Sequence, residues 1–367
     1  MASTHANKSP QWRKYFSLAP RFIDEMECVI AVLLAIGMGH YVCTSNVSWA
    51  AFSGYMVMRG HVADSFSRGF MRIVGTGCGA GLAVCLIPAV ASSWLLASLA
   101  GGLIAGVSLY GAMTQRHAYA WLFVGLTFGM VMLDAMEHPS HSPVRFSTER
   151  VFEVGAGTVA CMLVSAVSNW TVRRRWPAER ASPTREFRWH PGAAFHAMQG
   201  ATAIALLPMI SHFFRVPALS QGAVSIMVVM FVPLASIARC GLVPVSRRLV
   251  LRLIGCVAGC ALATPVLLAA HGSAIILIVG TIVGVMLGRH LENSGNAFSY
   301  AGTQFTLAIL VILVPDNYAH AELTPILTRL AGIVLGFVLL EVVLVIWCLF
   351  EWLLKPDKKI SWIFDDR

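Results

Sequence analysis

RGHVADSFSRGFMRIVGTGCGAG, running from Arg59 to Gly81, decides how this chain is read. It returns 180 residues later as RCGLVPVSRRLVLRLIGCVAGCA, from Arg239 to Ala261. Arg59, Arg68 and Arg72 fall on Arg239, Arg248 and Arg252, and Gly75 and Gly79 fall on Gly255 and Gly259, with no gap. Other landmarks keep nearly the same shift: Gly102 and Gly106 fall on Gly280 and Gly284, Thr127 on Thr306, and Arg150 and Gly157 on Arg329 and Gly336. A fixed offset of this kind marks an internal duplication. Each copy opens as a short cationic loop and runs into a glycine-dotted apolar helix.

Composition sets the class. The 367 residues are 57% hydrophobic and 12% charged, with a mean hydropathy of +0.71. Soluble domains carry about 25% charged residues, so the expectation is an all-α, polytopic membrane protein. No cleavable signal peptide is expected, because the first apolar run starts near Met26 and ends without a small-residue cleavage site. The nine cysteines lie singly, without zinc or CxxC spacing, and read as small packing residues. A net charge of +9 would suit nucleic acid if it formed one face, but it is spread through the loops between apolar runs. The lipid bilayer is the expected partner, and nucleic acid is not.

A membrane-crossing helix takes about 20 apolar residues. On that measure spans fall at Met26–Val42, Val47–Met58, Phe70–Val90, Ser93–Met113, Ala118–Met136 and Val151–Trp170. The second half gives Ala193–Phe213, Pro217–Ala238, Leu249–Ala270, Ser273–Gly288, Ala297–Val314 and Ile326–Phe350. Val47–Met58 is short, and the full-length appearance of Pro217–Ala238 argues for extending it. With the N-terminus in the cytoplasm, all of the 27 Lys and Arg except Arg145, Arg150, Arg215 and Arg329 fall on the cytoplasmic side, as the positive-inside rule asks. Arg289–Asn296 is then a cytoplasmic loop. Six spans per copy make the repeats parallel, not inverted. The expected layout is a tail (1–25), a first six-helix repeat (26–170), a basic cytoplasmic linker (171–192), a second repeat (193–350) and a cytoplasmic tail (351–367).

The residues that could carry chemistry are few. Gly75, Gly77, Gly79 and Gly81 lack the preceding strand and following acid of a dinucleotide loop, and read as close helix packing. Arg68/Arg72 and Arg248/Arg252 each share one helix face at i, i+4. Arg72 and Arg252 lie about a turn inside an apolar span, where charge is expensive and functional by default. Snorkelling to headgroups is the plain reading of them, and a duplicated cationic vestibule for carboxylates is the functional one. Trp121 and Tyr300 stand at corresponding repeat positions and could line a path for aromatic solutes. Glu153 and Glu341 are the intramembrane carboxylates that could exchange protons, although Glu153 stands three residues after Arg150 and a local ion pair would also account for it. Asp134 ends span five, and Asp24, Glu25 and Glu27 open span one. His138 and His141 share an external loop with no third ligand in view, so no metal is expected. No cofactor is expected either, and the absence of a nucleophile–base pair or a phosphate loop argues against an enzyme.

The run WAAFSGYMVMRGHVADSFSRGFMRIVGTGCGAGLAV, Trp49 to Val84, resembles the signature of the fusaric acid resistance proteins, or aromatic acid exporters. It has a Trp-Ala opening and an arginine loop leading into Arg72, Ile73, Gly75, Thr76 and Gly79. TERVFEVGAGTVACMLVS, Thr148 to Ser165, resembles the end of the same module through Glu149, Arg150 and Glu153. The resemblance implies a proton-driven inner-membrane exporter of aromatic or amphipathic organic acids, with both termini cytoplasmic. It also implies a periplasmic membrane-fusion partner, and it leaves room for a homo-oligomer. The chain departs from longer members in having only Thr171–Gly192 between its halves, and in carrying Cys256 and Gly332 where the first half has Thr76 and Glu153. A passive organic-anion channel like the aluminium-activated malate transporters is a second reading, and a non-transporting scaffold of an envelope or secretion complex is a third.

Overall fold

The computed structural model describes residues 11–176, 189–214, 216, 219–234, 237, 241–318 and 324–354. Arg215, Arg239, the middle of the basic linker, the first ten residues and the tail from Lys355 lie outside them. The described residues form twelve helices: α1 (Gln11–Tyr41), α2 (Val47–Val57), α3 (Val62–Val90), α4 (Trp94–Thr114), α5 (Ala118–Glu137), α6 (Pro143–Trp170), α7 (Pro191–Phe214), α8 (Leu219–Met230), α9 (Leu242–Ala270), α10 (Ala274–Glu292), α11 (Ser299–Leu313) and α12 (Thr324–Leu354).

Eight of them are long and apolar enough to cross a membrane: α3 to α7, α9, α10 and residues Leu327–Leu353 of α12. Asp24, Glu25 and Glu27 stand at the start of the apolar stretch of α1. The expectation that Pro217–Ala238 is full length, and that Val47–Met58 extends to match it, is not met. α2 has 11 residues and α8 has 12, about 17 Å of rise against ~30 Å of hydrocarbon. α8 stops at Met230 because Pro233 follows, and a proline disfavours helix in the residues before it. α11 is also short, at 15 residues.

Helix contacts sort into two compact units, each drawing on both halves of the chain. One unit gathers α1, α2, the start of α3, α6 from Glu149, α9 from Ile254, α10 and α11. The other gathers α3 from Val74, α4, α5, the start of α6, α7, α8, α9 as far as Leu253, and α12 from Leu327. In the first unit α1 packs on α2 and α10, and α11 packs on α10 and α2. In the second, α7 packs on α8 and α4, and α5 packs on α4 and α8.

Close approaches follow the same pattern. In the first unit, a Cβ on Gly255 or Gly259 of α9 would strike the carbonyls of Ala301 and Phe305 on α11. In the second, Gly75 and Gly79 of α3 stand equally close to the carbonyls of Ala120 and Val124 on α5. Gly157 of α6 lies against the Ala50 carbonyl of α2, and Gly336 of α12 lies against Gly222 of α8. Bringing backbones together at small residues is how membrane helices associate without a hydrophobic driving force between them. Gly77 and Gly81 have nothing within 4 Å of a would-be Cβ, so only alternate members of the glycine run pack closely.

The short helices α2 and α8 lie at the centre of their units. Val47, Ala50 to Tyr55 and Val57 of α2 are buried, as are Leu219, Gly222 to Met227, Val229 and Met230 of α8. A buried helix end leaves amides and carbonyls that must find partners, and each helix end finds one from a distant element. The Val47 amide donates to Asp316 Oδ1 (2.7 Å), and the Leu219 and Ser220 amides donate to Glu137 Oε1 (2.6 and 3.3 Å). At the other ends, Arg289 Nη2 donates to the Met58 carbonyl (3.3 Å), and His196 Nε2 lies 3.0 Å from the Met230 carbonyl.

Candidate functional site

In the first unit, polar side chains cluster along α2. Arg72 of α3 is 2% exposed, and its Nε donates to Ser53 Oγ (3.2 Å). One turn earlier on α2, the guanidinium of Arg150 from α6 lies over the ring of Trp49, 4.7 Å from its centroid. Arg150 Nε is 3.2 Å from Glu153 Oε2, and Glu153 is wholly buried. Two guanidinium groups, one indole and one carboxylate therefore gather on a single apolar helix. Such a set can hold an organic anion by charge and by ring contact. Arg68 is half-buried one turn before Arg72, and Tyr300 is half-buried on α11 of the same unit.

The second unit holds Arg248, Arg252, Trp121 and Glu341. Arg252 is 2% exposed. Arg248 is half-buried and donates to the carbonyl of Phe231, just beyond α8. Glu341 is half-buried on α12. Trp121 packs against Gly111 and lines an apolar recess of about 630 Å³ with Val74, Cys78, Leu82 and Val124. The packing register sets Ala120 level with Ala301, so Tyr119, not Trp121, corresponds to Tyr300. A larger cavity of about 1100 Å³ in this unit is lined by Trp94, Asp134, His138, His141, His212 and Gln221, among others.

Residues 27–178, from α1 past α6, match the fusaric acid resistance protein family. Curated relatives align with part of this chain. The p-hydroxybenzoic acid efflux pump subunit AaeB of Escherichia coli O1:K1 / APEC is 28% identical over 162 residues, covering 40% of this chain and 24% of that protein. AaeB of Escherichia coli O139:H28 (strain E24377A / ETEC) and of Shigella boydii serotype 18 (strain CDC 3083-94 / BS512) align with the same identity and coverage. The chain thus spans about a quarter of the length of the curated relatives it matches. No solved structure matches.

The first unit also contains a charged cluster that local sequence reading does not reveal. Asp24, Glu25 and Glu27 at the start of α1 are 8%, 6% and 6% exposed. Asp24 accepts from Arg289 Nε (2.7 Å), Arg289 Nη2 (3.1 Å) and Asn293 Nδ2 (2.8 Å). Burial alone would raise the Asp24 pKa, but the Arg289 charge and the hydrogen bonds from Arg289 and Asn293 hold it below its usual value. Glu27 accepts from Arg173 Nε (2.9 Å) and Nη2 (2.6 Å) and from the Ser168 hydroxyl. Glu25 Oε1 is 2.8 Å from His290 Nδ1. Glu292 accepts from the Tyr55 hydroxyl (2.6 Å) and faces Arg289 (3.3 Å) and Arg59 (3.7 Å). Arg289, expected in a loop, is helical and 3% exposed. The local signal was the carboxylate triplet on α1, but its partners lie 146 and 265 residues away.

Proposed function

We propose that this protein is a multi-pass inner-membrane efflux transporter for aromatic or amphipathic organic acids. The observation that carries the reading is Arg72, a guanidinium almost wholly withdrawn from solvent on an apolar helix, within the segment that matches the fusaric acid resistance protein family. An intramembrane charge of this kind marks a substrate or ion path by default. Arg68 and Arg72 draw a carboxylate in one unit, and Arg248 and Arg252 do so in the other. Tyr300 in the first unit and Trp121 in the second each offer a ring to an organic body, and Glu153 or Glu341 exchanges protons. The AaeB relatives, which are named as subunits of a p-hydroxybenzoic acid efflux pump, support the substrate class and a partner such as a periplasmic membrane-fusion protein. The matching helix contacts of α1, α2, α10, α11 and of α7, α8, α4, α5 support a duplicated six-helix architecture with parallel copies. The basic loops support cytoplasmic termini.

The test is efflux of p-hydroxybenzoate and related acids from loaded cells. Wild type should lower intracellular acid, and Arg72→Ala should abolish the effect at matched membrane abundance. Collapse of the proton gradient should stop export. Flux that persists down its own gradient after collapse would overturn proton coupling and point to a passive channel.

A further inference from the structure

The second unit contains a side-chain cluster that transport of organic acids does not use. Asp134 opens the last turn of α5 and His138 follows directly after its end, four residues on, with the His138 amide donating to the Asp134 carbonyl (2.8 Å). The chain then turns at Pro139–Ser140, closed by the His141 amide on the His138 carbonyl (2.9 Å), and His141 comes back over the same helix end. His138 Nδ1 lies 3.4 Å from Asp134 Oδ1, and His141 Nδ1 lies 3.7 Å from Asp134 Oδ2. One ligand atom from each residue falls within 4.8 Å of the others. The two imidazoles stack at 4.8 Å with planes 17° apart.

These separations are informative. They exceed the ~2.7–3.2 Å of a nitrogen–oxygen hydrogen bond, so direct hydrogen bonding does not account for the grouping. Two ligand atoms on one tetrahedral metal with bonds of about 2.0–2.1 Å stand about 3.3–3.4 Å apart, so a small rotation of the exposed imidazoles would close the set, whose atoms lie within 4.8 Å of one another, onto one ion. We propose that Asp134, His138 and His141 bind a divalent cation of the zinc type. Two imidazoles and one carboxylate suit zinc and its neighbours, whereas magnesium and calcium prefer all-oxygen shells. Both histidines are more than half or about half exposed (58% and 50%), and Asp134 is 15% exposed, so an ion can enter. All three residues line the 1100 Å³ cavity, which leaves the remaining coordination position to water or to a small anion. Three protein ligands with an open position is the pattern of zinc sites that exchange a ligand.

The test does not depend on transport. Tag-free full-length protein in detergent, stripped with a chelator, is titrated with zinc against a chromogenic competitor. One equivalent should bind per chain and raise the melting temperature, and excess magnesium or calcium should not displace it. His138→Ala and His141→Ala should each weaken binding at least tenfold, and Asp134→Asn should weaken it while keeping the shape of the helix end. The melting temperature of each zinc-free variant reports whether it is folded. Wild-type protein that takes up no stoichiometric zinc, or folded histidine variants that bind it as tightly as wild type, would overturn the assignment.

Discussion

Asp24 and Arg289 are joined by two hydrogen bonds across 265 residues of sequence, and the same guanidinium reaches the last carbonyl after α2. α1, α2 and α10 therefore meet at one buried charge. Removing one member of a buried ion pair costs about 3–5 kcal/mol, whereas removing both is far milder. Arg289→Gln should accordingly lower the melting temperature of the detergent-solubilised protein more than the Asp24→Asn/Arg289→Gln double variant does. Equal loss in both would mean that the pair is not energetically coupled.

The acid limb of stability should report Asp24. It lies two residues before the apolar run, and its folded-state pKa is below the ordinary 3.8. Its contribution is therefore fully present above about pH 4 and is lost as pH falls through the lower folded-state value. Melting temperatures measured between pH 6 and pH 3 should drop less steeply for Asp24→Asn than for wild type. A steeper fall in the variant would reverse the sign assigned here.

The glycine run divides into close-packed and open positions, and substitution should reveal the split. A Cβ at Gly79 would lie 2.5 Å from the Val124 carbonyl, whereas one at Gly77 meets nothing within 4 Å. Overpacking costs typically 1–3 kcal/mol, and Gly→Ala in open space favours helix by up to ~1 kcal/mol. Gly79→Ala should destabilise and Gly77→Ala should be neutral or stabilising, as read by folded yield on size-exclusion chromatography and by thermal melting. Destabilisation of equal size at both positions would count against the packing described.

Glu137 caps the short helix α8, so its loss should act there. Capping side chains are worth about 0.5–2 kcal/mol. Glu137→Ala should raise amide hydrogen exchange at Leu219 and Ser220 more than at α4 or α7. Exchange unchanged across α8 would show that the cap contributes little.

Much of the fold was legible in the sequence because its signals are local. Apolar runs and the repeated arginine–glycine stretch place most of the helices. The lengths of α2 and α8 were not legible. Both runs stay apolar past the helix end, so hydropathy extends them, and only Pro233 marks the stop of α8. In the candidate site, Arg72 and Arg252 were visible because a cation inside an apolar run is conspicuous. Arg289 was not, since at the edge of a run it looks like a topology signal, and only its distant partner Asp24 shows otherwise. His138 and His141 stand out in the sequence as a pair, but Asp134 belongs to the preceding helix, and the turn that joins them is a matter of three-dimensional geometry.

Each compact unit mixes helices from before and after the basic linker, and this constrains how the polypeptide is made. When translation reaches Arg173, α1, α2 and α6 are present without α10 and α11, and α4 and α5 without α7 and α8. Neither bundle can close while the ribosome is still on the first half. The nascent chain must wait in the bilayer with its packing faces unmatched until α11 and α12 emerge, and a truncation in the linker would leave two incomplete bundles in place of one intact half.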